Sequence, residues 1–410
     1  MHGGWAGLWR WTAVGGIGLS LYAGWLTFDE IRDAAAGERD IAAACDGLVS
    51  GAEVMDLQGG TIRAKAADDE RSRLDADELP GSCAVYKVTG PGRTTGLFTL
   101  MVRVVDPDTP LHWIGDDSSL EPFRDDSARE EPDVTATADR RPEPHPVGDG
   151  TLGRYGDDHT TVRAECGPGS RAQAPELLQV TARADYDDVS AEDRDRLARL
   201  ARSATAVLID RIGCRSTLPA LPARPLPAVS ADLRPAAGAT DGSCGWFARY
   251  VRRAGQGALP DRALATPAPA ASPVESCLLA VGPDQVGRIA ADLPDDAHDY
   301  ARTARTHSPW WLRTASYFGG DARTVGYEDL GRPDKVVAVG TAGHARGAWW
   351  ASSVCDGRPA LHTLSAGYTY DNVLSPQELS AVFRAYVDDI TARRGCTRVT
   401  YPAPEDFPAH

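Results

Sequence analysis

The sequence contains little lysine, asparagine or methionine, and its acidic residues outnumber its basic ones. Lys65, Lys87 and Lys335 are the only lysines, Asn372 is the only asparagine, and there are 3 methionines. The formal net charge is −15 at pH 7. A chain with this acidic balance and no basic stripe lacks the electrostatic footprint of a nucleic-acid-binding protein. Nucleic acid is therefore not expected as a partner.

The short motifs of common enzymes and metal proteins are also missing. The chain has no Cys-x-x-Cys pair and no His-Glu-x-x-His, which are frequent zinc-binding patterns. It has no Gly-x-Ser-x-Gly nucleophile elbow and no glycine-rich phosphate loop ahead of a helix. We therefore expect no metal site, no cofactor and no catalytic residue, and the sequence favours a non-catalytic protein.

The cysteines fall into two sets of four, which are the main evidence for an internal duplication. In both sets the middle gap is the longest, and each gap of the second set is slightly shorter than its counterpart. The residues around Cys83 also resemble those around Cys277. Self-similarity of this kind indicates tandem copies of one fold. The two sets are Cys45, Cys83, Cys166 and Cys214, then Cys244, Cys277, Cys355 and Cys396.

Matched sets of four cysteines without zinc-like spacing predict disulfide bonds and an oxidising compartment. The spacing alone leaves three connectivities open in each repeat. We expect neighbours in sequence to pair, because the last two cysteines of each set bracket a strand and the helix that follows it. The expected bonds are Cys45–Cys83, Cys166–Cys214, Cys244–Cys277 and Cys355–Cys396.

Each repeat ends in a predicted strand followed by an amphipathic helix. Leu178 and Val180 alternate with polar residues, as in a strand with one buried face. In the second repeat, Ser375 is expected to cap a helix, with Pro376 at the first helical position and Glu378 completing a capping box. The predicted fold class is α+β, with an N-terminal transmembrane helix followed by two tandem repeats. Each repeat is an antiparallel sheet packed by helices and stapled by two disulfides.

An apolar segment near the N-terminus, residues 11–28, is long enough to be a membrane span. Arg10 precedes it and Asp29 follows it, so the N-terminus is expected in the cytoplasm and the bulk of the chain outside. This predicts a single-pass protein of the cell membrane, with a cleaved signal peptide as the alternative. The expected organisation is a cytoplasmic stub (1–10), a transmembrane anchor (11–28), a stalk (29–44), a first α+β repeat (45–216), a proline- and alanine-rich linker (217–238), a second α+β repeat (239–402) and a tail (403–410).

The second repeat carries a dense group of aromatic residues. Adjacent tryptophans in a strand point to opposite faces, so one of each pair lies on a second face that is covered by a loop or available to a partner. Recognition sites concentrate Trp and Tyr, whereas core packing is the alternative explanation. The candidate ligand or partner residues are Trp310, Trp311, Tyr317, Trp349 and Trp350.

Three segments of the second repeat resemble uncharacterised, membrane-anchored cell-envelope proteins of actinobacteria. They are residues 244–247 (CGWF), 310–313 (WWLR) and 349–357 (WWASSVCDG). The chain is also loosely similar to the small cysteine-paired α+β modules of lipoproteins and receptor-kinase sensor regions. The resemblance implies an extracytoplasmic protein and carries no known reaction or ligand.

These observations predict a membrane-tethered, extracytoplasmic binding or interaction protein whose partner is an envelope protein or a glycan. The alternative is a cell-envelope hydrolase with an active site assembled from dispersed residues, such as His307 or His344. An enzyme of this kind needs a pocket where a histidine and a carboxylate lie within hydrogen-bond distance. That geometry distinguishes the two hypotheses.

Overall fold

The fold is mixed α+β and has four disulfide bonds. By contacts the chain divides into two compact units. Unit 1 comprises the chain up to Arg103 with Asp158–Thr160 and Val180–Ile212, and unit 2 comprises Val104–Asp157, Thr161–Gln179 and Gly213–His410. The computed structural model describes residues 28, 30–67, 69, 72–105, 110–115, 143–306, 308–327, 335–367 and 369–407.

The helices and strands are numbered in chain order. The strands are β1 Ala64–Ala66, β2 Gly81–Gly90, β3 Arg93–Val105, β4 His112–Ile114, β5 His145–Pro146, β6 Gly153–Tyr155, β7 His159–Glu165, β8 Leu177–Ala184, β9 Arg234–Pro235, β10 Arg262–Ala265, β11 Val274–Ala280, β12 Trp311–Phe318, β13 Val325–Tyr327, β14 Lys335–Val336, β15 Gly343–Ala345, β16 Ala348–Cys355, β17 Arg358–Ala366 and β18 Thr397–Thr400. The helices are α1 (30–44), α2 Gly51–Met55, α3 Ala191–Ile212, α4 Gly245–Ala254, α5 Pro283–Asp292, α6 His298–Thr306, α7 Tyr370–Val373 and α8 Pro376–Arg393.

The predicted fold class needs a correction at its N-terminal transmembrane helix. Within the described part of the chain, no helix is long and apolar enough to cross a membrane. The predicted stub, 1–10, and all but the last residue of the predicted anchor, 11–28, lie outside the described residues. Helix α1, which follows and was expected as a stalk, carries charged residues and buries Ile41 and Ala44.

Unit 1 contains strands in the order β1, β2, β3, β8, with α3 following β8 in sequence. β2 and β3 form a hairpin whose turn contains Pro91-Gly92, and Gly92 has a φ of +67°. The alternation predicted for β8 is confirmed, because Leu178 and Val180 are fully buried. Helix α3 buries Leu197 and its apolar neighbours, but Val207, expected on the same face, is 38% exposed.

The main sheet of unit 2 has the strand order β15, β16, β17, β12, β11, β10, β9, and β18 also pairs with β16. Helices α4, α5, α6 and α8 supply residues to the large core on one face of this sheet. The other face is packed against a small sheet of order β14, β13, β4, in which β13 and β4 run parallel. Both faces of the central strands are therefore covered, and their residues are almost all buried.

The two halves of the sequence share a strand order. The order β1, β2, β3, β8 followed by α3 corresponds to the order β10, β11, β12, β17 followed by α8. β6 and β7 are neighbours, as are β15 and β16. The second half differs by inserting α5 and α6 between β11 and β12, where β2 and β3 are joined by a tight turn. The equivalence of residues 45–216 and 239–402 as two repeats stays a prediction.

All four predicted disulfides are confirmed. The bonds join Cys45 to Cys83, Cys166 to Cys214, Cys244 to Cys277 and Cys355 to Cys396, and no free cysteine is left. Cys214 and Cys396 each lie just after the long helix of their half, α3 and α8. The bonds therefore fix both helix ends to a strand region, as the spacing predicted.

The predicted start of α8 is also confirmed. The Ser375 hydroxyl accepts a hydrogen bond from the Glu378 backbone N–H at 3.2 Å, and a Glu378 carboxylate oxygen accepts one from the Ser375 N–H at 2.9 Å. Pro376 occupies the first helical position. This capping box satisfies backbone donors that have no partner within the helix.

Candidate functional site

All five aromatic residues predicted to bind a ligand or partner are buried. Trp310 is 0% exposed and Trp350, the most exposed of the five, is 8% exposed. Trp310 and Trp349 lie in the large core under the helices, whereas Tyr317 and Trp350 lie in the core beneath the small sheet. Trp311 lies in a third cluster with Leu264, Leu278 and Ala280.

The adjacent tryptophans do point to opposite faces, as alternation predicted, but neither face is open. The side of Trp350 is closed by Tyr327, whose ring stacks on it at a centroid distance of 5.4 Å. The side of Trp349 is closed by Phe407, stacked at 5.5 Å. A cavity of about 10 Å³ beside Trp113 and Trp311 is too small for more than one water. The expectation of an exposed aromatic surface is wrong for these pairs.

A groove of about 580 Å³ lies in unit 2 beside the Cys355–Cys396 disulfide. Arg163, Arg358 and Arg394 line it, together with the acids Glu165 and Asp356. Charges of both signs therefore line this groove. Hydroxyls and small residues complete the lining, among them Thr151, Ser216, Thr217, Ser272 and Gly319.

Two of the three arginines in this groove, Arg163 and Arg394, lie within ion-pair distance of buried acids. Arg163 Nη2 lies 2.5 Å from an oxygen of Asp321, whose side chain is 2% exposed. Burial alone raises the pKa of Asp321, but Arg163 and the hydrogen bond from His112 lower it below its ordinary value. Arg394 donates to the Ser272 carbonyl at 2.9 Å and lies 3.7 Å from Glu275. These arginines balance charges inside the fold, which accounts for their position without a ligand.

A larger groove, about 940 Å³, lies on the outer surface of unit 2 between helices α4 and α8. We call it the arginine groove. Its lining residues are Trp246, Arg249, Tyr250, Arg252, Arg253, Ala254, Ala381, Arg384, Ala385, Asp388 and Asp389. It is a wide, open depression whose walls are helical side chains.

Helical periodicity places these residues together. In α4, Trp246 and Phe247 are buried against the core, whereas Arg249, Arg252 and Arg253 are spaced three and four residues apart and are exposed. In α8, residues 381, 384, 385 and 388 follow the same spacing on the face opposite the buried stripe. The small side chains of Ala381 and Ala385 leave space between the two helices.

The acids of the arginine groove already have partners. Asp389 forms ion pairs with Arg249 and, at 2.9 Å, with Arg393. Asp388 accepts a hydrogen bond from the Tyr401 hydroxyl. Burial and this hydrogen bond raise the pKa of Tyr401 to about 12, so the phenol is neutral at pH 7.

The remaining cations of the groove have no acidic partner. Arg252 and Arg253 are exposed, and within the described ranges neither side chain forms an ion pair or a hydrogen bond. The Arg384 guanidinium carbon lies 4.1 Å from the centroid of the Tyr401 ring, which is a neutral partner. Three positive charges therefore border this groove without an ion pair in the described part of the chain.

The hydrolase hypothesis named two histidines, His307 and His344. His307 lies outside the described residues. His344 Nδ1 is 3.0 Å from Asp406 Oδ1, so a histidine and a carboxylate do meet there. The His344 side chain is 42% exposed at the sheet edge and lines neither groove. Neither groove therefore supplies this pair with the pocket that a hydrolytic site requires.

His362 is the centre of a buried polar network that the sequence did not indicate. Its Nδ1 lies 2.7 Å from the Ser316 hydroxyl and its Nε2 lies 2.8 Å from the Ser353 hydroxyl. The Tyr386 hydroxyl lies 2.6 Å from Ser316. Burial lowers the pKa of His362 to about 3, so the ring is neutral at pH 7. Because its members are buried in the core, this network serves packing and not substrate contact.

No group of His, Cys, Asp and Glu side chains in the described ranges is arranged to hold a metal ion. No family model, no curated protein and no solved structure matches the chain. The four disulfides indicate a protein of an oxidising, extracellular type of environment.

Proposed function

We propose that this chain is a non-catalytic, extracytoplasmic binding protein whose ligand, an envelope protein or a glycan, lies in the arginine groove. The observation that carries the proposal is the open groove between α4 and α8, whose arginines at positions 252, 253 and 384 have no acidic partner. Binding sites are concave and contain a few uncompensated polar groups that fix the ligand. The single-pass anchor expected from the sequence is not part of this proposal.

The smaller groove supports the proposal less well. Its arginines at positions 163 and 394 are held by Asp321 and Glu275, so they are explained by charge balance within the fold. The hydrolase alternative also has weaker support, because the contact between His344 and Asp406 lies outside both grooves.

A groove-filling variant tests the proposal without changing any charge. Ala381 is exposed and lines the groove, so Ala381→Trp places a large ring across it. Ala206 is exposed on α3, and Ala206→Trp is the matched control. The full oxidised chain is applied to a glycan array and to purified envelope proteins. We expect a ligand that wild type and Ala206→Trp retain and Ala381→Trp loses.

Two results contradict the proposal. One is a screen in which the wild-type chain retains no glycan and no envelope protein. The other is a ligand that Ala381→Trp binds as well as wild type does, because that ligand lies elsewhere on the molecule. The folded state of both variants is checked by thermal unfolding.

A further inference from the structure

We infer that the ligand of the arginine groove is an acidic glycan, a saccharide polymer that carries carboxylate or phosphate groups. The inference rests on the proposed function, because it names the chemical class of ligand for the same groove. It starts from the charges that border the groove and then from the shape and chemistry of its walls.

Three of the positive charges of the groove are not balanced by an ion pair within the described part of the fold. The chain as a whole has a net charge of −15, yet Arg252, Arg253 and Arg384 are left without acids. Basic residues in the last turn of a helix are favoured by the helix dipole, which accounts for Arg252 and Arg253 in part. Arg384 lies in the middle of α8, where the dipole offers no such stabilisation.

Guanidinium groups in this arrangement suit oxyanions. Each presents a planar fork of N–H donors that matches the two oxygens of a carboxylate or phosphate. Arg252 and Arg253 come from α4, whereas Arg384 comes from α8, so the charges line both walls. A ligand with repeated anionic groups is able to engage both walls at once.

The walls favour a saccharide over a peptide. Helical side chains form both walls, so no free strand edge is present there for an added β-strand. The apolar lining is limited to small alanines and to Trp246, which is 3% exposed, so an amphipathic helix finds no deep anchor pocket. Tyr250 instead offers ring surface beside the arginines, and flat aromatic faces pack well against the C–H faces of sugar rings.

The inference is tested by titration calorimetry of the full oxidised chain with three probes. They are a short oligogalacturonate, the same oligomer fully methyl-esterified, and a glycerol phosphate oligomer. We expect at least one anionic probe to bind and the neutral ester to bind about tenfold more weakly or not at all, because charge-assisted hydrogen bonds contribute most of the contact. The two anionic probes distinguish a carboxylate from a phosphate polymer.

Charge-removing variants locate the site. The double variant Arg252→Gln with Arg253→Gln is expected to bind the anionic probe about tenfold or more weakly than wild type. Arg384→Gln is also expected to lower the affinity for the anionic probe. Arg199 and Arg224 are exposed arginines elsewhere, and the double variant Arg199→Gln with Arg224→Gln is the control of equal charge, expected to leave affinity unchanged.

Several outcomes overturn the inference. Equal affinity for the oligogalacturonate and its methyl ester would show that the charge of the ligand does not contribute to binding. An equal loss in the control pair shows a general effect of net charge. A DNA oligonucleotide that binds as tightly as the glycans shows unselective attraction of polyanions. Absence of binding by both anionic probes at millimolar concentration also contradicts it. A neutral glycan that Ala381→Trp loses would overturn the acidic class while leaving the proposed function intact.

Discussion

The guanidinium carbon of Arg384 lies 4.1 Å from the centroid of the Tyr401 ring. The hydroxyl of the same ring donates a hydrogen bond to Asp388, which is four residues after Arg384 on α8. An acid at that spacing lies within reach of the arginine on the helix surface. Tyr401 thus engages the carboxylate and the guanidinium separately, and it leaves the positive charge of Arg384 available to a ligand.

Removing only the Tyr401 hydroxyl is expected to reduce the affinity for an anionic glycan. In Tyr401→Phe the ring beneath Arg384 remains, but Asp388 is released to pair with Arg384. The expected loss of affinity for the anionic probe is about twofold, the size of one exposed ion pair at this spacing. Calorimetry measures it, with Tyr300→Phe on α6 as the control. Unchanged or tighter binding by Tyr401→Phe would contradict this relationship.

Trp350 is expected to stabilise the fold and not to contact a ligand. It is 8% exposed, packs in the core beneath the small sheet, and stacks on Tyr327. Trp350→Ala should lower the free energy of unfolding by about 3–5 kcal/mol, the usual cost of truncating a buried aromatic residue. Val339, which is 38% exposed, gives the control Val339→Ala with a change within about 0.5 kcal/mol.

Urea unfolding monitored by tryptophan fluorescence or circular dichroism gives the free energies of unfolding of Trp350→Ala and Val339→Ala. If Trp350→Ala kept wild-type stability and lost the ligand, the original expectation of an aromatic recognition surface would be restored.

The buried ring of His362 is expected to make stability depend on pH. Burial lowers its pKa from 6.5 to about 3 in the folded chain, so the unfolded chain binds the proton more readily. The contribution of the neutral His362 ring to the free energy of unfolding is therefore complete above about pH 6.5, and it is lost as the pH falls toward about 3. The loss approaches about 1.4 kcal/mol for each pH unit in this window.

The variant His362→Gln isolates this effect. Glutamine keeps hydrogen-bonding groups near Ser316 and Ser353 but does not titrate, so the decline of stability between about pH 6.5 and about pH 4 should be shallower than in wild type. His298 is exposed, and His298→Gln is the control. Parallel pH profiles for wild type and His362→Gln would show that His362 does not carry the dependence.

Local patterns in the sequence predicted much of the fold. The capping box at Ser375 and the hairpin turn at Gly92 depend on residues within a few positions of each other, and both are present. The cysteine spacing left three connectivities open in each repeat, and the expected pairing of sequence neighbours is the one observed.

The candidate site was not predicted, and the reason is its long-range assembly. Arg253 and Arg384 lie far apart in sequence and meet only after α4 and α8 pack against the same sheet face. Trp350 was misjudged because its cover comes from β4 and β13, short strands without a strong pattern. A helical projection of α4 does contain a usable signal, since Arg249, Arg252 and Arg253 share the face opposite Phe247.

Hydrogen exchange measured by mass spectrometry tests the central claim most directly, since it reports where a ligand lies without any mutation. The full oxidised chain is compared with and without a saturating glycan that the array retains. The account predicts slower exchange in peptides covering Gly245–Ala254 and residues 381–389, with little change elsewhere. Slower exchange confined to the segments of the smaller groove, around Pro273 and Phe318, with α4 and α8 unchanged, would contradict it.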